Sequence, residues 1–123
     1  MSPHPKPLRG QKRPLHLIFI RGLSCCICHA PRSEAAHVRY SDAASGHVSA
    51  VGQKPDDART VPLCSRCHRE GPDAQHRSGE RVWWRSHRID PLELARRLFD
   101  ASGDAERGEN ISRLARKLAP WRE

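Results

Sequence analysis

Aromatic residues are scarce in this chain of 123 residues, which contains three Trp, one Tyr and two Phe. Long hydrophobic runs are lacking as well, since the longest aliphatic stretch, residues 15–20, is interrupted by His16. A membrane-spanning helix needs about 20 apolar residues, so no membrane association is expected. One domain with so few aromatic side chains buries limited apolar area, and we expect another interaction to help stabilise it.

Cysteine is present in a number and arrangement that disfavour disulfides. The cysteines are five, an odd number, and they lie in two short clusters. The basic, proline-rich N-terminus does not resemble a secretory signal. Disulfide-rich secreted domains instead carry an even, dispersed set. We therefore expect a reduced, cytoplasmic protein that binds metal through its thiolates.

Negative charge is missing from the first 24 residues, which carry five basic side chains and no acidic one. The whole chain has 22 Lys and Arg against 14 Asp and Glu, a net charge of +8. Such an excess favours an anionic partner. Residues 1–13 are predicted to form a flexible, proline-rich arm. This arm is either a solvated tail or an extension that binds along the phosphates of a nucleic acid.

Capping and turn residues divide the rest of the chain into short elements of an α+β fold. Pro14 can begin a helix that ends at Gly22, although a buried strand is the competing interpretation of residues 15–20. The main predicted domain spans residues 14–102, followed by a helical C-terminal extension at 103–123. Within them we predict strands at 35–39 and 59–63, and helices at 64–70, 81–87, 91–102 and 111–118.

Two Cys-x2-Cys pairs, Cys25 with Cys28 and Cys64 with Cys67, have the spacing of metal ligands. Four thiolates commonly close a tetrahedral structural zinc site. A redox function is disfavoured, because the βαβ pattern that accompanies such motifs is missing. Between the pairs lie 35 residues, more than the roughly 15–20 of a compact zinc ribbon, so a further element is inserted there. Cys26 is left over and is predicted to be a packed free thiol.

The inserted segment carries a second pattern. RGLSCCIC is followed by AAHVR, a glycine-containing loop, the KPDD turn, VPLCSRCH and a further histidine. This order resembles the HNH (ββα-metal, His-Me finger) nuclease family, and it is most similar to the Ref-like and YbcO-like nucleases of phages and prophages. The resemblance covers roughly residues 15–100. It implies a small zinc-stapled ββα-metal finger that cleaves DNA in phage or mobile-element processing or recombination.

The resemblance also implies roles for two histidines. His37 is the general base, and His68 binds a catalytic divalent ion such as Mg²⁺, Mn²⁺ or Zn²⁺. Position along the chain selects the other candidates: His76, beyond Gly71-Pro72, can fold back beside His68 as the preferred second ligand, and Asp57, just before the second strand, either binds the ion or orients His37. Phosphodiester hydrolysis needs such a base near neutral pH and a cation against the developing phosphate charge. For His68, replacement of Cys67 as a zinc ligand is the alternative.

Basic residues alternate with these positions and are expected to bind DNA phosphates without reading bases, so that binding is largely independent of sequence. The Trp83–Trp84 pair is more typical of a helix core than of base stacking. The resemblance also allows a recombination protein as a partner. The predicted phosphate-binding residues are Arg39, Lys54, Arg66, Arg69 and Arg77.

One position departs from the family pattern. Many HNH proteins carry Asp or His immediately before the base, whereas this chain has Ala36. The departure favours an alternative function, a non-catalytic zinc-finger module that binds DNA or acts as an adaptor. His37, His68 and the KPDD turn favour the nuclease, and an RNA substrate stays open beside DNA.

Overall fold

Short helices surround a two-stranded sheet in this computed structural model, which describes residues 10–40, 55–77 and 79–123. The mixed architecture confirms the predicted α+β class. The elements, in chain order, are α1 (Pro14–Arg21), β1 (Glu34–His37), β2 (Thr60–Leu63), a π-helical segment (Arg66–Glu70), a 3₁₀ turn (Gln75–Arg77), α2 (Glu80–Ser86), α3 (Pro91–Asp100), α4 (Ala105–Arg113) and α5 (Ala115–Leu118).

The apolar run at residues 15–20, for which the sequence allowed either a helix or a strand, lies within helix α1. Pro14 occupies its first turn, and the backbone N–H of Gly22 donates to the carbonyls that end it. Ile20 is completely buried, and Nδ1 of the buried His16 lies 2.7 Å from Ser102 Oγ. The alternative of a strand over residues 15–20 is therefore wrong.

The two strands form an antiparallel pair in which Glu34 lies opposite Leu63 and His37 opposite Thr60. Both strands overlap the positions predicted from the sequence. Every residue of β2 is buried, so this strand belongs to the core. The backbone N–H of Cys26 donates to the carbonyl of Pro62 at 3.0 Å, and this bond places the first cysteine pair beside β2.

The C-terminal half supplies much of the core through its helices. Trp83 and Trp84 in α2 are both buried, as the sequence predicted. Helix α3 packs its apolar face against β2. Among the described residues, no helix is long and apolar enough to cross a membrane. The largest fully buried apolar side chains are Trp84, Ile20, Leu23, Leu63, Ile89, Leu94, Leu98, Val38 and Val61.

Ser24 ties the C-terminal extension to the first cysteine pair. The Glu109 carboxylate in α4 accepts hydrogen bonds from Ser24 N at 2.9 Å and Ser24 Oγ at 2.5 Å. Ser112 Oγ, fully buried, donates to the Ser24 carbonyl at 2.7 Å. Bonds shielded from water in this way hold geometry firmly. Helix α4 thus fixes the residue that precedes Cys25.

Asp90 is expected to stabilise α3 as its N-cap. Its carboxylate accepts from the backbone N–H of Leu92 at 3.0 Å and of Glu93 at 3.3 Å. Asp90→Ala should lower the free energy of unfolding by about 1 kcal/mol, because the first turn loses its acceptor. Asp90→Asn keeps an acceptor oxygen and should remain close to wild type. Urea denaturation measures both, and an equal loss in the two variants would contradict the capping explanation.

Candidate functional site

Four cysteine sulfurs meet beside β2. The Sγ atoms of Cys25, Cys28, Cys64 and Cys67 all lie within 4.8 Å of one another, and those of Cys28 and Cys64 are 3.6 Å apart. Four sulfurs bound tetrahedrally at about 2.3 Å to one ion are about 3.8 Å apart. The four-cysteine group is therefore close enough to hold a structural metal ion, and four thiolates are a donor set that suits zinc.

Each cysteine pair is formed by a tight hydrogen-bonded turn. In the first pair, the backbone N–H of His29 donates to the Cys25 carbonyl at 2.9 Å. In the second, the N–H of His68 donates to the Cys64 carbonyl at 2.9 Å, and Cys67 N donates to Cys64 Sγ at 3.5 Å. An N–H group directed at sulfur stabilises the thiolate, the form that binds metal.

Gly71 ends the π-helical segment that follows the second pair. Its N–H donates to the Arg66 carbonyl at 2.8 Å. A Cβ at this position would lie 2.8 Å from that same carbonyl oxygen, so the close approach requires glycine. The turn directs the chain back past the second cysteine pair and toward His76.

Cys26 lies outside the four-cysteine group and is 3% exposed. Burial raises the pKa of its thiol well above the ordinary value, so it stays protonated and inert. Burial also raises the pKa of Cys67. Because metal ligands must be thiolates, metal binding at the four-cysteine group would release protons.

A carboxylate–imidazole pair joins β1 to the KPDD turn. His37 Nε2 lies 2.8 Å from Asp57 Oδ1, and the two side chains are 10% and 3% exposed. The other carboxylate oxygen of Asp57 accepts from the backbone N–H of Arg13 at 2.8 Å, and Asp57 N donates to the Gln11 carbonyl at 3.0 Å. A carboxylate held on both sides in this way fixes the orientation of the imidazole.

The neighbouring Asp56 has a different set of partners. Its Oδ1 accepts from Ala58 N at 2.7 Å and from Arg13 Nε at 2.9 Å. The guanidinium of Arg13 also lies 4.9 Å from the ring centroid of Phe99 in α3. Residues 11–13, the end of the predicted arm, thus contact the turn that carries Asp57.

A second pair of site residues follows β2. The rings of His68 and His76 lie 4.4 Å apart, and His68 Nδ1 is 2.8 Å from Glu34 Oε1. Hydrogen bonds from Arg69 and His68 lower the pKa of Glu34 to about 2. Burial, together with the charges of His68 and Arg39, lowers the pKa of His76 and favours its neutral, metal-binding form.

Strand β1 links the two pairs. Glu34 and His37 lie at its two ends, with Cα atoms about 10 Å apart at 3.3 Å per residue. Strand alternation places Glu34 and the buried Ala36 on one face and His37 on the other. The structure therefore brings the candidate residues together as His37–Asp57 and His68–His76, with Glu34 beside the second pair.

The predicted phosphate-binding arginines are exposed. Arg39 directly follows β1, and Arg77 ends the 3₁₀ turn. Arg66 and Arg69 both lie on the π-helical segment, where Arg69 is ion-paired with a carboxylate of β1 at 2.7 Å. This ion pair partly neutralises the charge that Arg69 offers to a phosphate. Lys54 lies outside the described residues.

No known relative was found. Neither a family model, nor a curated protein, nor a solved structure matches the chain. The HNH resemblance therefore rests on the sequence motifs alone.

Two residues of the site were missed from the sequence, Glu34 and Arg13. The strand register could have found Glu34, because pairing His37 with Thr60 puts Glu34 opposite Leu63 and next to the second cysteine pair. No local pattern signals Arg13, whose partners are 43 and 44 residues away.

Cys64→Ser is expected to abolish stable metal binding and cooperative folding. A structural zinc contributes on the order of 10 kcal/mol, comparable to the net stability of a whole domain. Zinc content by elemental analysis and thermal melting by circular dichroism measure the two effects.

Cys26→Ala is the matched control, because it removes a buried thiol outside the four-cysteine group. It should retain one zinc per chain and melt cooperatively, with a loss of about 1 kcal/mol. If Cys26→Ala lost zinc as completely as Cys64→Ser, the four-cysteine group would not be the metal site.

Proposed function

We propose that this protein is a metal-dependent DNA endonuclease, with a structural zinc at the four-cysteine group and a catalytic divalent ion at His68 and His76. The observation that carries the proposal is the 2.8 Å contact between His37 Nε2 and the buried Asp57 carboxylate. A positioned carboxylate–imidazole pair suits general-base catalysis. The motif order, which resembles that of HNH nucleases, supports the same reaction.

His37 acts as the base in this proposal. In the tautomer in which Nε2–H donates a hydrogen bond to Asp57, the basic nitrogen of the neutral imidazole is Nδ1. His37 takes a proton from water as the water oxygen forms a bond to phosphorus. The bond from phosphorus to the leaving oxygen breaks, and that oxygen takes a proton from the solvent. The family resemblance implies 3′-hydroxyl and 5′-phosphate products.

His68 and His76 hold the catalytic ion in this proposal. In the tautomer in which Nδ1–H of His68 donates a hydrogen bond to Glu34, Nε2 is the nitrogen that can bind a metal. The lowered pKa of His76 keeps that ring neutral near pH 7. The divalent ion, when bound, would stabilise the negative charge that develops on the phosphate and the leaving oxygen.

Glu34 is the positioning residue of the metal site. It lies two residues before Ala36 on the same face of β1, the face where many HNH proteins carry an acidic residue or a histidine. Its carboxylate, held by Arg69 at 2.7 Å, contacts His68 at 2.8 Å. Glu34 thus acts through His68, in the way that carboxylates orient metal-binding histidines elsewhere.

A non-catalytic zinc module that binds DNA is the second candidate, and Ala36 is the observation that favours it. The side chain of Ala36 is buried and offers no ligand atom where many HNH proteins have one. Such a module would use the four-cysteine group and the exposed arginines. It would leave the His37–Asp57 pair without a chemical role.

Plasmid cleavage tests the proposal. Zinc-loaded protein should nick supercoiled DNA when Mg²⁺ or Mn²⁺ is added, and His37→Ala should lower the rate by at least about 100-fold, because the base is lost. His29→Asn is the control: His29 is exposed at a φ of 65°, a conformation that Asn tolerates, so its rate should match wild type.

Two results would contradict the nuclease. DNA binding by the wild type without cleavage in either ion would favour the non-catalytic module. Equal cleavage by wild type and His37→Ala would remove His37 from the reaction and leave the His37–Asp57 pair as a structural contact.

Glu34→Ala should weaken the binding of the catalytic ion. Loss of a carboxylate that orients a metal-binding histidine is expected to raise the Mn²⁺ concentration for half-maximal cleavage by about 10- to 100-fold. The maximal rate at saturating Mn²⁺ should change much less. Glu93→Ala removes a carboxylate that is likewise paired with an arginine, Arg96 in α3, and should leave the Mn²⁺ requirement unchanged. A fall in maximal rate at an unchanged Mn²⁺ requirement would contradict the positioning role.

A further inference from the structure

Arg81, near the start of α2, lies over two aromatic rings that come from distant parts of the chain. Its guanidinium carbon is 5.7 Å from the ring centroid of Tyr40 and 5.5 Å from that of Trp121. Tyr40 follows β1, and Trp121 belongs to the segment after α5. Both distances are within the range of cation–π attraction, so the two rings hold the guanidinium at the surface.

The backbone fixes both rings. The Glu80 carboxylate accepts from the backbone N–H of Arg39 at 3.1 Å, and that of Tyr40 also bonds to it. On the other side, Trp121 N donates to the Arg88 carbonyl at 3.1 Å. The C-terminal segment is therefore anchored to the turn after α2, and this bond fixes the position of the Trp121 side chain.

Charge pairing sets Arg81 apart from many other arginines of the protein. Arg69, Arg96 and Arg113 each have a carboxylate at 2.7 Å. In the described part of the chain, no carboxylate forms an ion pair with Arg81, and the adjacent Glu80 directs its oxygens to the backbone of Arg39. An aromatic cradle neutralises no charge and leaves the N–H edge of a guanidinium available to an anion.

Helix α2, which carries Arg81, packs beside the candidate metal site. The 3₁₀ turn that carries His76 packs against α2. The charge of Arg39 acts on His76, and Arg39 is bonded to the residue that precedes Arg81. Arg39 has no carboxylate partner for its side chain among the described residues either. Arg39 and Arg81 thus offer positive charge on either side of Glu80, and neither guanidinium forms an ion pair within the described residues.

We propose that Arg81, held by Tyr40 and Trp121, binds a phosphate of the DNA backbone, and that the C-terminal segment is therefore part of the DNA-binding surface. The inference rests on the proposed function for the identity of the polyanion. Arginine suits the role because its planar guanidinium can stack on rings and donate to a phosphate at the same time. Trp121 acts by holding the guanidinium.

DNA binding measured without cleavage tests the inference. The full zinc-loaded chain is titrated with a fluorescent DNA duplex in Ca²⁺ over a range of salt concentrations. Arg81→Gln should reduce the slope of log affinity against log salt by about 0.9 and weaken binding about 8-fold near 0.1 M salt, as expected for one lost phosphate contact. Arg81→Lys should keep the slope, and Trp121→Leu should weaken binding about 2- to 5-fold.

Arg107→Gln is the control, since Arg107 is exposed on α4 and, within the described residues, only its backbone N–H bonds to a carboxylate, while its guanidinium forms no ion pair. It removes the same charge and should leave the slope unchanged.

The inference is overturned if Arg81→Gln, Arg107→Gln and wild type all show the same slope. This holds even if Arg81→Gln lowers the melting temperature. Wild-type binding with the predicted slopes but no cleavage in either Mg²⁺ or Mn²⁺ would support the inference and overturn the nuclease. No duplex binding by the wild type would overturn both.

Discussion

The meeting of four cysteine sulfurs within 4.8 Å is the constraint on which the rest of the structure depends. It closes a loop between two tight turns and fixes both beside β2. A sheet of two four-residue strands has only marginal stability by itself, and the chain has few aromatic side chains to pack against it. A metal bound to four thiolates supplies stabilisation of the order of a domain's net stability. Glu109 and Ser112 add a second attachment through Ser24.

The candidate chemistry follows from this closure. The second cysteine pair begins one residue after β2, so it fixes where His68 emerges relative to β1. Glu34 then reaches His68 because the strand register places it opposite Leu63. At the other end of β1, the same register brings His37 to the turn that carries Asp57. Both candidate pairs thus depend on one pair of strands beside the four-cysteine group, and the basic residues around them lie on the segments that flank these strands.

Local patterns predicted much of this arrangement. The spacing of the cysteine pairs predicted the four ligands, and Pro14, Gly22 and Asp90 marked helix ends, because such signals act within one turn. Long-range contacts escaped prediction. Glu34 needed the register, Arg13 bonds to residues more than 40 positions away, and Arg81 needs rings from two distant segments. The strand alternative for residues 15–20 arose because a six-residue apolar run fits both periodicities.

The central claim is that one chain holds two distinct metal ions, a structural zinc and a catalytic divalent ion. Anomalous X-ray diffraction from crystals of the zinc-loaded protein soaked in Mn²⁺ tests it most directly. The account predicts a zinc signal among Cys25, Cys28, Cys64 and Cys67, and a separate manganese signal at His68 and His76. A single metal ion at the cysteines, with none at the two histidines, would contradict it.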